Sequence, residues 1–119
     1  MVTVAVPVVS EEGLRSELND HFGMTEDFAV FDFEAGEAKD LKFISNDPRE
    51  TGAKPNAQFL IEQGVKIVLS SWIGPHMLNA LLDSGVRVFK GAAGTVGDVI
   101  EDYKAGMLTE VRSPGEMMG

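Results

Sequence analysis

The fold is decided by residues 65–75, which read Val-Lys-Ile-Val-Leu-Ser-Ser-Trp-Ile-Gly-Pro. The apolar run at 65–69 is typical of a strand that is covered on both faces of its sheet. Pro75 suits the first position of a helix, because the N–H that it lacks would have no partner there. The residues that follow carry one apolar face at helical spacing, formed by Met77, Leu78, Leu81 and Leu82.

The same alternation of strand and helix continues on both sides of this stretch. Pro55 opens a predicted helix that ends at Gly64, and residues 86–89 form the next predicted strand. A loop with two glycines, residues 91–94, then leads into a helix that Thr95 caps. Strand–helix–strand units connect parallel strands through right-handed crossovers, so these strands are expected to run parallel.

The N-terminal part of the chain is rich in strand patterns. Residues 3–9 form an apolar strand, and residues 28–33 and 39–45 form a hairpin. The expected architecture is a three-layer α/β/α domain with a mixed five-stranded sheet. We expect one domain over residues 1–111 and a flexible C-terminal tail over residues 112–119.

The carboxyl ends of the parallel strands define the expected binding edge, because open α/β folds bind ligands there. That edge collects the loop at 10–23, the turn at 70–76 and the loop at 91–95. Both histidines of the chain, His21 and His76, are therefore expected on one rim.

His21 is the leading candidate for a metal or cluster ligand in a chain that has no cysteine. The alternative is a histidine that only hydrogen-bonds its own turn. His76 is a weaker candidate for a metal ligand. It directly follows Pro75 at a helix start, where its side chain could instead be exposed or packed on Trp72.

Two turns offer backbone N–H groups to an anion. The turn Ile73-Gly74-Pro75 precedes a helix, whose free N–H groups and dipole attract negative charge. Gly94 and Thr95 belong to a second such turn at 91–95. Each turn can equally be a tight connection and nothing more. Neither has the spacing of a Walker loop or of Gly-x-Gly-x-x-Gly, so nucleotide binding is not expected.

Composition argues against several classes of function. The absence of cysteine excludes thiolate-held iron–sulfur clusters and cysteine-rich zinc sites. A net charge of -9 opposes binding to nucleic acid or to an anionic membrane. No apolar run approaches the roughly 20 residues of a membrane span, and the start lacks a secretory pattern, so a cytoplasmic protein is expected. The first strand has no carboxylates to hold catalytic metals, and the chain has no Gly-x-Ser-x-Gly elbow. We therefore expect a binding protein and not an enzyme.

Four short segments together resemble a known family: Val4-Ala5-Val6-Pro7, Asp20-His21-Phe22-Gly23, Ile73-Gly74-Pro75 and Gly94-Thr95-Val96. They are similar to the dinitrogenase iron-molybdenum cofactor biosynthesis family, of the NifX and NifB C-terminal type, over nearly the whole chain. The resemblance implies a ribonuclease H-like α/β/α fold without the nuclease carboxylates. It also implies noncovalent carriage of an anionic metal–sulfur cluster, with His21 of the His-Phe-Gly motif as a ligand.

The chain departs from this family's pattern at two places. Residues 50–54 contain no histidine, where many members have one, and Ser70-Ser71 stand where many members have a cysteine. The remaining groups that could hold a cluster are the two histidines, as ligands, and backbone N–H groups, as hydrogen-bond donors. Arg15 or Lys54 would help to offset the repulsion between an anionic cluster and the acidic chain.

Two functional hypotheses follow. The first is a non-enzymatic carrier of an iron-molybdenum-type or other molybdenum-containing metal–sulfur cluster, with a recipient apoprotein as its partner. The family that the chain resembles includes proteins that hold a molybdenum–copper sulfide cluster. The second is a regulatory or protein-interaction module that binds a small anion or a partner at the same rim. The chain is expected to be a monomer or a weak homodimer through its hairpin edge.

Overall fold

The computed structural model describes residues 1–118, which form a six-stranded mixed sheet with helices on both faces. The strands are β1 (Val2–Val8), β2 (Asp27–Glu34), β3 (Glu37–Ser45), β4 (Ile67–Leu69), β5 (Arg87–Lys90) and β6 (Thr109–Val111). The helices are α1 (Pro48–Thr51), α2 (Asn56–Glu62), α3 (Pro75–Asp83), α4 (Val96–Lys104) and α5 (Pro114–Met118), and a 3-10 turn covers Gly13–Arg15. The strands lie in the order β3-β2-β1-β4-β5-β6.

The central strands pair in parallel, as the sequence predicts. β1 pairs with β4, and β4 pairs with β5, so the carboxyl ends of all three lie on one edge of the sheet. β2 pairs antiparallel with both β1 and β3. The β2–β3 hairpin turns through Ala35 and Gly36, whose φ values of 53° and 78° suit the twist of the two strands.

Both faces of the sheet are buried, which gives the three layers. Alternate residues of β1 serve opposite faces: Ala5 lies in one core cluster, and Val4 and Val6 lie in the other. The first cluster takes its helical residues from α2, α3 and α5, and the second takes them from α4. The binding edge is therefore supported by packed helices on both sides.

The expectation of five strands is wrong, because a sixth strand follows α4. Gly106, with a φ of 72°, lies just beyond the end of that helix, and residues 109–111 return antiparallel to β5. The Arg87 guanidinium donates two hydrogen bonds, of 3.0 and 2.9 Å, to the Glu110 carboxylate across this strand pair. Val111 is buried in the core and holds the strand there.

The C-terminal residues contain a short helix where a flexible tail over residues 112–119 is expected. In α5 the side chain of Met117 is buried in the cluster that also contains α3 residues. Gly119, the last residue of that expected tail, lies outside the described residues. Within residues 1–118, no helix is long and apolar enough to cross a membrane.

Candidate functional site

The carboxyl edge of the central strands holds an open cavity of about 320 Å³. It lies between the loop that follows β1 and the start of α3. The structure brings both histidines of the chain to this cavity, which we call the histidine cavity. Its lining residues are His21, Phe22, Gly23, Met24, Trp72, Gly74, Pro75, His76 and Met77.

The loop that carries His21 is anchored by the next residue. Phe22 is 2% exposed and packs edge-on against Phe28, with ring centroids 5.8 Å apart. The N–H groups of Met24 and Thr25 donate to the His21 carbonyl oxygen at 2.9 and 3.1 Å and close a tight turn. Since Phe22 fills the core, the exposed His21 side chain is left on the side of the cavity.

A buried amide fixes the position of this loop. Asn56, at the start of α2, donates from Nδ2 to the carbonyl oxygens of Phe22 and Thr25 at 2.7 and 2.8 Å. Its Oδ1 accepts a 2.7 Å hydrogen bond from Asn46 Nδ2. On the other side of the loop, the Thr25 hydroxyl donates to the Val8 carbonyl oxygen at 2.9 Å. The loop is thus tied to both α2 and β1.

The start of α3 forms the opposite wall of the histidine cavity. Gly74 is the N-cap of α3 and Pro75 is its first residue. The N–H groups of His76 and Met77 fall in the first helical turn, where no partner exists within the helix. Ile73, expected to contribute to binding, is instead buried in the core and does not line the cavity.

Two side chains lie near the glycine backbone of the cavity. A Cβ on Gly23 would lie 3.9 Å from Met77 Cε, and a Cβ on Gly74 would lie 3.8 Å from the Trp72 ring. The methyl end of the Met77 thioether therefore lies near the histidine loop. Trp72 is 48% exposed and adds an apolar surface to the same cavity.

The lining of the cavity offers soft donors and almost no formal charge. It carries two imidazoles, two thioethers and one indole, and none of its described residues is a carboxylate, a lysine or an arginine. Arg15 and Lys54, expected to offset the charge of a cluster, both lie outside this lining, and Lys54 is ion-paired with Glu62. Within the described part of the chain, no three His, Cys, Asp or Glu side chains are grouped to hold a metal ion. Hard divalent cations, which prefer several oxygen ligands, therefore have no preformed site here.

The second turn predicted to bind an anion lies elsewhere. Gly94 and Thr95 line a different cavity, which also has Glu17 and Asp20 in its lining. The Thr95 N–H donates to Asp98 Oδ2 at 3.1 Å, and the Asp98 N–H donates back to Thr95 Oγ1 at 3.2 Å. This capping box confirms Thr95 as the cap of α4. Since the Asp98 carboxylate already takes the N–H that an anion would use, this turn is a poor anion site.

Three residues of the site were missed from the sequence: Asn46, Asn56 and Met77. The only local signal for Asn56 was a polar residue at the start of an otherwise apolar helical segment. Its two acceptors precede it by 34 and 31 residues, so no short-range motif contains the pair. Met77 was assigned to the core by its helical spacing, and it is indeed partly buried while also lining the cavity.

The fold and the cavity define a small three-layer α/β domain with a soft-donor cavity at the carboxyl edge of its sheet. The chain belongs to the dinitrogenase iron-molybdenum cofactor family, whose profile matches residues 2–106. This membership relates it to the proteins of nitrogenase iron-molybdenum cofactor biosynthesis.

Solved structures share this fold over nearly their whole length. The crystal structure of PH0822 is 28% identical, with a TM-score of 0.78, and the match covers 91% of this chain and 95% of that one. A proposed NifB protein from Thermotoga, TM1290, is 27% identical, with a TM-score of 0.77 and coverage of 95% and 96%. The apo orange protein from Desulfovibrio gigas is 23% identical, with a TM-score of 0.80 and coverage of 96% of both chains, and shows likeness of fold alone.

A curated relative also matches in sequence. The uncharacterized protein MJ0580 from Methanocaldococcus jannaschii is 24% identical over 111 residues, which cover 91% of this chain and 90% of that protein. The match therefore extends across the whole domain and is not confined to the histidine motif.

Proposed function

We propose that this protein is a non-enzymatic carrier, whose cargo is an iron-molybdenum-type or other molybdenum-containing metal–sulfur cluster held in the histidine cavity. One observation carries the proposal: the His-Phe-Gly loop presents His21 to a cavity whose other wall is the start of α3. We further propose that strands β3-β2-β1-β4-β5 form a ribonuclease H-like core, to which β6 is added.

The lining residues fit such a cargo chemically. A metal–sulfur cluster presents soft metal ions, for which imidazole and thioether are suitable ligands. It also presents sulfide edges with negative charge, which accept hydrogen bonds from backbone N–H groups. His21 and His76 supply the imidazoles, and the first turn of α3 supplies the N–H groups. The cavity of about 320 Å³ is large enough for a small ligand.

The electrostatics of the cavity fit an anionic cargo despite the net charge of -9. Within residues 1–118, no carboxylate lines the cavity, so these acidic residues act only from a distance and through solvent. The amino end of α3, which lies at the cavity, carries a partial positive charge that favours an anion there. Since Arg15 and Lys54 lie outside the lining, we assign charge compensation to the N–H groups of His76 and Met77.

A second candidate is a regulatory or protein-interaction module that binds a small anion or a partner at the same rim. It is favoured by the lack of a group of three metal-ligating side chains among the described residues. In that case the first turn of α3 would hold the anion and His21 would be dispensable.

Anaerobic titration separates the two candidates. The apo protein is mixed with tetrathiomolybdate plus Cu(I), and separately with an isolated iron-molybdenum cluster, and molybdenum is measured after gel filtration. We expect stoichiometric retention by the unchanged protein, loss in His21→Ala, and full retention in Asn79→Ala, a control at an exposed position of α3. Circular dichroism checks that both variants fold.

Two outcomes would reject the carrier assignment. One is stoichiometric retention by His21→Ala, since the cargo would then need no imidazole from the motif. The other is no retention of either cluster by the unchanged protein. In that second case, sulfate or phosphate binding that His21→Ala preserves would support the anion-binding module.

A further inference from the structure

An exposed methionine, Met24, lies beside His21, and packing in the core does not explain its position. Met24 is 82% exposed, although burying a methionine side chain is favourable. Its N–H donates to the His21 carbonyl oxygen at 2.9 Å, so one tight turn holds both residues at the histidine cavity. The loop therefore offers one imidazole and one thioether to the same space.

The opposite wall repeats this pair of donors. His76 and Met77 are adjacent in the first turn of α3 and both line the cavity. Met77 Cε lies 3.9 Å from the position that a Cβ on Gly23 would take, so the methyl group of Met77 lies near the histidine loop. Two imidazoles and two thioethers from two separate elements thus surround one cavity.

These imidazole and thioether donors favour soft metal ions over hard ones. Thioethers are soft ligands that favour Cu(I), whereas Mg²⁺, Ca²⁺ and Mn²⁺ prefer carboxylates and carbonyls. In the part of the chain that the structure describes, no carboxylate lines the cavity, and the chain has no cysteine thiolate to hold Zn²⁺.

We infer that the histidine cavity binds a single Cu(I) ion in the absence of sulfide, with ligands drawn from His21, Met24, His76 and Met77. The inference goes beyond the carrier function, because it requires neither molybdenum nor a preassembled cluster. It shares the cavity and the two histidines with that proposal.

The absence of cysteine makes the ligands identifiable by X-ray absorption. In a sulfide-free, thiol-free sample loaded anaerobically with one equivalent of Cu(I), every sulfur neighbour of copper must come from methionine. We expect a Cu–S shell together with a Cu–N shell from imidazole. In selenomethionine-labelled protein, the Cu–S shell should be replaced by a Cu–Se shell.

Affinity measurements identify which methionines bind. Competition against bicinchoninate should show that the double variant Met24→Leu/Met77→Leu binds Cu(I) more weakly by roughly tenfold or more. Leucine nearly conserves the volume of methionine, so the fold is preserved. The matched control is Met107→Leu, because Met107 is also highly exposed but does not line the cavity. Its affinity should equal that of the unchanged protein.

The results that would overturn the inference differ from those that test the carrier. A copper site with nitrogen and oxygen neighbours alone would overturn it, as would an unchanged Cu–S shell in the double variant, which would place the ion on other methionines. Equal weakening by Met107→Leu would also overturn it. If Cu(I) binds as expected while tetrathiomolybdate is not retained, the copper site stands and the carrier function fails.

Discussion

Replacing Asn56 with alanine tests how the His21 loop is held. Asn56 is 5% exposed, and its carboxamide makes three hydrogen bonds: two to the carbonyl oxygens of Phe22 and Thr25, and one from Asn46. Each buried hydrogen bond contributes about 0.5–1.5 kcal/mol net, so the expected loss in free energy of unfolding is about 1.5–4.5 kcal/mol. Small domains have about 5–15 kcal/mol of stability, so most of that range leaves a folded protein.

Two measurements on Asn56→Ala check this reasoning. Urea unfolding followed by circular dichroism gives the loss in free energy, and native-state hydrogen exchange reports on the loop. The amides of Met24 and Thr25, which donate to the His21 carbonyl oxygen, should exchange faster in the variant. The control Asn79→Ala, at an exposed position of α3, should change the free energy by less than about 0.5 kcal/mol.

A loss in free energy no larger than that of the control would contradict a structural role for the Asn56 hydrogen bonds. Unchanged amide exchange at Met24 and Thr25 in a destabilised variant would contradict a role for Asn56 in holding the loop. In that case the amide would support α2 without positioning the histidine loop.

Three further perturbations follow from particular contacts. Ser70→Ala should leave stability unchanged or raise it by up to about 1 kcal/mol in urea unfolding, because the buried Ser70 hydroxyl has no hydrogen-bond partner among the described residues; a loss above about 1 kcal/mol would contradict this. Thr95→Ala should cost about 0.5–2 kcal/mol, measured the same way, because it removes the hydroxyl of the α4 capping box. The Arg87 guanidinium, by hydrogen bonding, lowers the pKa of the Glu110 carboxyl below its usual 4.5. The stability that Glu110 adds, less than about 1 kcal/mol for a partly exposed pair, is therefore present above pH 4.5 and is lost as the pH falls through the lowered pKa. Urea unfolding of Glu110→Gln should show a deficit at pH 7 that disappears at acid pH, and a deficit independent of pH would contradict the pairing.

The central part of the fold was predictable because its signals are local. Apolar runs bounded by glycine and proline indicated β4, α3 and β5, and the crossover rule then gave their parallel pairing. The sixth strand was not predictable in this way. Residues 109–111 are too few to show alternation, and they become a strand only because β5 lies beside them. Long-range pairing of this kind leaves no periodic pattern in the sequence.

The candidate site was predictable in part for the same reason. Parallel strands share a carboxyl edge, so the common location of His21 and His76 followed from topology. The separate location of Gly94 and Thr95 could not be inferred from the topology of the sheet. It results from the pairing of residues 16–18 with residues 94–96. The Leu18 N–H donates to the Gly94 carbonyl oxygen at 2.9 Å, so that turn faces its own cavity.

The measurement that tests the central claim most directly is amide chemical-shift mapping of ¹⁵N-labelled protein during anaerobic titration with tetrathiomolybdate. If the histidine cavity holds a molybdenum–sulfur cargo, the largest shifts should fall on residues 21–24 and on His76 and Met77, and they should saturate at one equivalent. Shifts centred on Gly94 and Thr95, or shifts that grow without saturation at the histidine loop, would contradict the account.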